Sequence, residues 1–94
     1  MVQDTQGASR KILLVDDEPS LQKMLVHALE REGFQVRAVG DGEEALEAFD
    51  AYEPHLIILD IMLPKIDGTE VCRRIRSQSD VPIIMLTAKD DEID

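Results

Sequence analysis

The chain has 94 residues, 44% hydrophobic and 32% charged, with a formal net charge of −10. That size suits one small domain, and the mixture suits a folded, soluble chain rather than a disordered one. The acidic balance argues against a nucleic-acid footprint and against an anionic membrane surface, since both recruit Lys and Arg.

Residues 1–10 are polar and lack the apolar stretch of a signal peptide, so a disordered N-terminal tail is expected there. No run is long enough to span a bilayer, which places the expected location in the cytoplasm. Lys11 to Val15 is a short continuous apolar run, the pattern of a strand covered on both faces. Asp16 and Asp17 follow it, and Pro19 suits the first position of a helix. Leu21, Met24, Leu25, Ala28 and Leu29 recur at helical spacing until Gly33 stops them. From Phe34 to Val39 the residues alternate, which predicts a half-exposed strand at a sheet edge.

Asp41 caps the next predicted helix, with Glu44 three residues on in a capping-box-like arrangement. Ala45, Leu46, Phe49 and Tyr52 give its buried side, and Pro54 ends it. Leu56 to Leu59 is a wholly apolar third strand that runs into Asp60. Pro64, Asp67 and Gly68 mark a turn-rich loop. A third helix carries Val71, Cys72 and Ile75 inward and Arg73, Arg74 and Arg76 outward, on a solvated face. Cys72, the only cysteine, reads as core packing. Ile83 to Leu86 form a fourth strand that stops at Thr87. His27 and His55 read as surface residues.

Strand and helix alternate throughout, which implies parallel βαβ units with right-handed crossovers. Ligands of such sheets bind beyond the carboxyl ends of the strands, where strand order reverses. Asp16, Asp17, Asp60 and Thr87 all fall at those ends. Charge beside a dry core is costly unless something neutralises it. If the first and third strands are neighbours, the three carboxylates converge and raise one another's pKa values. A hard divalent cation relieves that repulsion through oxygen ligands. A carboxylate beside the ion can be a nucleophile towards phosphorus, and the Thr87 hydroxyl can donate to the new phosphoryl oxygen. The competing reading makes each aspartate a loop residue or helix cap.

Leu14-Val15-Asp16-Asp17-Glu18-Pro19 resembles the opening of bacterial response-regulator receiver domains. Asp60 through Gly68, in the run Leu59-Asp60-Ile61-Met62-Leu63-Pro64-Lys65-Ile66-Asp67-Gly68, resembles their phosphorylation loop, and Met85-Leu86-Thr87-Ala88 their switch segment. Met-Leu-Pro followed by Asp-Gly is most similar to the OmpR-like subfamily with a winged-helix DNA-binding output domain. The resemblance covers residues 11–94 and implies an α/β flavodoxin-like, CheY-like doubly wound parallel sheet of family order 2-1-3-4-5. It implies that 11–94 is a partial receiver, lacking the fifth strand and the last two helices. It further implies that Asp60 is the phosphoacceptor, charged from a sensor histidine kinase. Asp17 would bind Mg²⁺ directly, Asp16 through water, and Asp60 and the Met62 backbone carbonyl would complete the protein's share. Thr87 would be the switch hydroxyl.

The family's fifth strand brings a lysine and an aromatic switch residue, and neither position lies within this sequence. Lys65 and Lys89 are the nearest cations in sequence. A protein-interaction or dimerisation scaffold without phosphorylation therefore stands as the alternative. An aspartyl-phosphate phosphatase would need Asp-x-Asp after the first strand, where this chain has Asp16-Asp17-Glu18. A flavin carrier would need a glycine- and hydroxyl-rich loop there. Without a fifth strand, Ile83 to Leu86 would be an apolar edge, and self-association through it is expected. The chain itself is expected to bind neither nucleic acid nor membrane, nor to be an enzyme beyond assisting its own phosphorylation and dephosphorylation.

Overall fold

The structure, a computed structural model, describes residues 10–86. The first apolar run forms β1 (Lys11–Val15), followed by α1 (Pro19–Arg31) with Pro19 at its first turn. Next come β2 (Gln35–Val39), α2 (Gly42–Tyr52) and β3 (Leu56–Asp60). Helix α3 (Gly68–Arg76) and β4 (Ile83–Leu86) complete the described chain. All strand pairs are parallel, in the order β2-β1-β3-β4. That is the expected doubly wound topology, with β2 at one edge as its alternation predicts. Strand order reverses between β1 and β3.

Side-chain alternation divides the sheet into two unequal faces. Leu13 and Val15 of β1 and Ile57 and Leu59 of β3 point to one side. There they meet Ala45 and Ala48 of α2 and Val71 and Ile75 of α3, all buried. Cys72, Ile83 and Met85 pack on the rim of this cluster.

On the other face, α1 packs over β2 and β1, sealing Ile12 and Leu14. A helix with its side chains is about 10 Å wide, roughly two strand spacings, so one helix covers two strands. Among the described residues no helix lies over β3 and β4 on this side. Exposure accordingly rises along the row Leu14, Ile58, Ile84, from 0% at Leu14 to 50% at Ile84. The stripe read along α1 is only half used: Leu21, Leu25 and Leu29 are partly buried, while Met24 and Ala28 face solvent. No residue of α1 is fully buried.

Caps fix the helix starts. The Asp41 carboxylate accepts from the Glu44 amide at 2.9 Å. Glu44 reaches back to the Gly40 amide at 3.0 Å, one residue earlier than a standard capping box. Asp67, which the sequence suggests only as a turn former, caps α3 through the Glu70 amide at 2.9 Å. Glu70 is gripped by Arg73 and Arg74, which hold its carboxyl down at about 2. These arginines form the solvated face expected of them. Tyr52 is half-buried beneath Lys11 and Arg37, at 5.3 and 5.0 Å from its ring centroid.

The burial contrast gives a direct test. Ile57→Ala, at a fully buried site, should cost about 2–5 kcal/mol in urea unfolding. Ile84→Ala, at a half-exposed one, should cost about 1 kcal/mol or less.

Candidate phosphoacceptor and metal site

The β1–β3 pairing builds the site. Val15 stands opposite Leu59, so the residues that follow, Asp16 and Asp60, leave the same sheet edge side by side. Asp60 is itself the last residue of β3, one further than the apolar run suggests. Carboxylate oxygens of Asp16, Asp17 and Asp60 all lie within 4.8 Å of one another. Asp16 and Asp60 are buried, at 2% and 8% exposure, and Asp17 is exposed.

Neither Asp16 nor Asp17 caps α1. The cap position is Glu18, and it makes no side-chain cap bond. Instead Asp16 Oδ1 accepts from the Glu18 amide at 2.9 Å. Asp60 Oδ1 accepts from the Met62 amide at 3.1 Å. Each buried carboxylate is thus held by a backbone N–H two residues on, an Asx-type turn that aims it outward from the strand end. Among the described residues, no Lys or Arg forms an ion pair with any of the three. Lys65 instead pairs with Asp41 and Glu43, each at 3.7 Å.

Burial pushes the Asp16 carboxyl above its ordinary value. The Glu18 amide opposes that rise, while the charges of Asp60, Asp17 and Glu18 add to it. A carboxylate this confined is short of positive charge. Three oxygen donors around one small volume are the donor set of a hard divalent cation such as Mg²⁺. The residues present therefore fit that ion. Beside them opens a crevice lined by Asp17, Met62, Pro64, Asp67 and Thr69.

Two supporting residues escape a sequence reading. Gln22 donates through Nε2 to the carbonyls of Asp16 and Val39, at 2.9 Å each. It pins α1 to the ends of β1 and β2, beside the carboxylates. The one hint is a polar residue next to Leu21, at the inward edge of the α1 stripe. Gly68 is the second. A Cβ there would overlap the Asp60 carbonyl and stand 2.7 Å from the Ile61 Cα. Only glycine lets α3 start this close to Asp60. Strand β4 ends at Leu86, level with Asp60. Thr87 and Lys89 lie outside the described residues, as does the segment 1–9.

Because the Asp16 carboxyl is raised in the fold, the folded chain binds that proton more tightly than the unfolded chain does. Its contribution to stability is complete below the ordinary value of 3.8 and is lost as pH rises through the folded value. Asp16→Asn keeps the acceptor for Glu18 and removes the charge. In chelator, urea midpoints of the unaltered chain should fall with rising pH in that window relative to Asp16→Asn. Parallel pH profiles for the two would contradict the assignment.

Comparison with known proteins places this geometry. The family model for the response regulator receiver domain matches residues 12–94. The Bacillus subtilis alkaline phosphatase synthesis transcriptional regulatory protein PhoP is 53% identical over 87 residues, covering 92% of this chain and 36% of its own length. The DNA-binding response regulator MtrA of Mycolicibacterium smegmatis is 51% identical over 85 residues, covering 90% and 37%. The chain thus spans little more than a third of the length of these curated relatives. Among solved structures, the BeF3-activated N-terminal receiver domain of Klebsiella pneumoniae RstA superposes with a TM-score of 0.84 at 35% identity, over 88% of this chain and 71% of that one. Vibrio cholerae CheY4 gives 0.84 at 34% identity, over 89% and 72%. With its sheet order, its paired acidic strand ends and a family match across nearly all of the folded unit, the chain belongs to the response regulator receiver domain family.

Proposed function

We propose that this chain is the phospho-accepting part of a two-component response regulator, with Asp60 receiving a phosphoryl group from a histidine of a sensor kinase. The observation that carries the reading is the convergence of Asp16, Asp17 and Asp60 within 4.8 Å at the β1–β3 edge. Asp60 is the member at the base of the open loop, with one carboxylate oxygen engaged by Met62. Its other oxygen attacks phosphorus. The new bond is O–P, the bond that breaks is N–P, and the electron pair returns to the donor imidazole, which takes up a proton. Asp60 then carries an acyl phosphate.

Asp17, Asp16, Asp60 and the Met62 carbonyl would hold Mg²⁺. When bound, the ion neutralises charge on the transferring group. Asp16 is kept apart from bulk water and oriented by Glu18, while Gln22 holds its backbone. Thr87 would supply the hydroxyl that meets the phosphoryl oxygen. The chain's own role is to bind, orient and accept, as a regulatory domain rather than an enzyme acting on a separate substrate.

The relatives' names point to the rest of the protein. PhoP is a transcriptional regulatory protein and MtrA a DNA-binding response regulator. We infer that the whole protein regulates transcription in the cytoplasm, through a DNA-binding segment outside the matched region. Among the described residues no helix is long and apolar enough to cross a membrane. The half-bare face bearing Ile58 and Ile84 supports self-association of this 94-residue chain through the β4 edge.

The central test is incubation with Mg²⁺ and either acetyl phosphate or beryllium fluoride, beside an Asp60→Asn control. Metal-dependent modification lost in the control is the expected result. If the chain stays silent and one extended through the family's fifth strand responds, residues beyond this sequence are needed. Silence in both leaves a scaffold. For the edge, sedimentation should show dimers that Ile84→Lys dissociates; a monomer before the substitution would remove that reading.

A further inference from the structure

Away from the carboxylates, the start of α2 presses against the far end of the β3–α3 loop. A Cβ placed on buried Gly42 would overlap the Ile66 carbonyl oxygen and stand 2.7 Å from the Ile66 Cβ. The Gly42 amide meets the Pro64 carbonyl at 3.4 Å. Between these two, Lys65 adopts a φ of 70°, a left-handed conformation that disfavours any residue with a side chain. Its ammonium lies 3.7 Å from the carboxylates of Asp41 and Glu43, the residues on either side of Gly42. Three consecutive loop residues therefore engage the cap of α2 and its first two residues. The ion pairs are exposed and individually weak. The backbone approach is the part that cannot be adjusted, because nothing larger than hydrogen fits on Gly42.

The other end of the loop holds the site. Met62 donates to Asp60, and the Gly68 amide donates to the Ile61 carbonyl at 2.9 Å. The geometry points to Gly42 as a positioning residue: by admitting residues 64–66 against α2, it sets the loop that carries Met62 beside Asp60. This rests on the phosphoacceptor reading of the site. Gly42 itself touches no reacting atom. Lys65 is the adjustable tie across the same contact, and its ion pairs stabilise a backbone turn that glycine would adopt more freely.

The test compares Gly42→Ala with Gly40→Ala, a neighbouring glycine whose Cβ would meet open space. Amide hydrogen exchange is read in chelator, and Mg²⁺ alone is then titrated by calorimetry. In Gly42→Ala, exchange at Met62 and Gly68 should quicken roughly tenfold, the scale of an overpacked contact. Protection at Leu13 and Leu14 should hold, and the Mg²⁺ dissociation constant should rise. Gly40→Ala should change none of these. Lys65→Met should quicken the same two amides to a smaller degree, and added salt should do so in the unaltered chain. A merely structural glycine would shift the urea midpoint and leave those amides and the ion affinity alone. Unchanged exchange at Met62 and Gly68 in Gly42→Ala overturns the proposal, as does an unchanged Lys65→Met should Gly42→Ala fail to fold. If the unaltered chain ignores Mg²⁺, the phosphoacceptor reading falls, while the exchange comparison still decides whether α2 holds the loop.

Discussion

The parallel pairing of β1 with β3 governs this molecule. It joins the two most apolar strands into a dry centre, and the same register delivers Asp16 and Asp60 to one edge. Core and site are consequences of one alignment. A slip of one residue would turn Leu13 and Ile57 to the wrong face. It would also part the carboxylates. Hydrophobic burial thus enforces a concentration of negative charge that electrostatics alone would disperse.

That cost is managed locally. Each buried carboxylate receives one backbone amide, from Glu18 or Met62, and no basic side chain among the described residues neutralises either. The arrangement leaves the site competent for a cation rather than complete without one. Support comes from a surrounding frame. Gln22 ties down the backbone of Asp16, Gly68 brings α3 up to Asp60, and Gly42 brings α2 up to the loop between them. Small or neutral residues hold the frame, so they add no further charge to a crowded edge.

Much of this was legible in the sequence, for physical reasons that differ by element. β1 and β3 are continuous apolar runs, and the alternation of β2 marks an edge. The three aspartates stand out because carboxylates directly after apolar strands demand an explanation. The stripe of α1 overstates its burial, since periodicity shows which residues share a face but not how much of it another element covers. Met24 and Ala28 are exposed because a single helix spans only β1 and β2 on that side. The Asp67 cap could have been found from Glu70 three residues on, the same spacing that revealed Asp41. Gly42 could not, because its reason is the Ile66 backbone, which is distant in sequence and has no compositional signature. Lys65, one of the two cations nearest in sequence, is engaged by Asp41 and Glu43 rather than by the site carboxylates, a pairing that sequence separation does not reveal.

The strand order also has a bearing on how the chain acquires its shape during synthesis. β1 leaves the ribosome first yet occupies an interior place in the sheet, flanked by β2 and β3. Ile12 pairs with Leu56, a separation of 56 − 12 = 44 residues. Closing so long a loop is entropically unfavourable before the contacts that reward it exist. The apolar run of β1 must therefore wait, unsatisfied on one flank, until β3 has emerged. Asp16 and Asp17 sit immediately beside that waiting stretch, and flanking charge of this kind opposes the association of an exposed apolar strand with other chains.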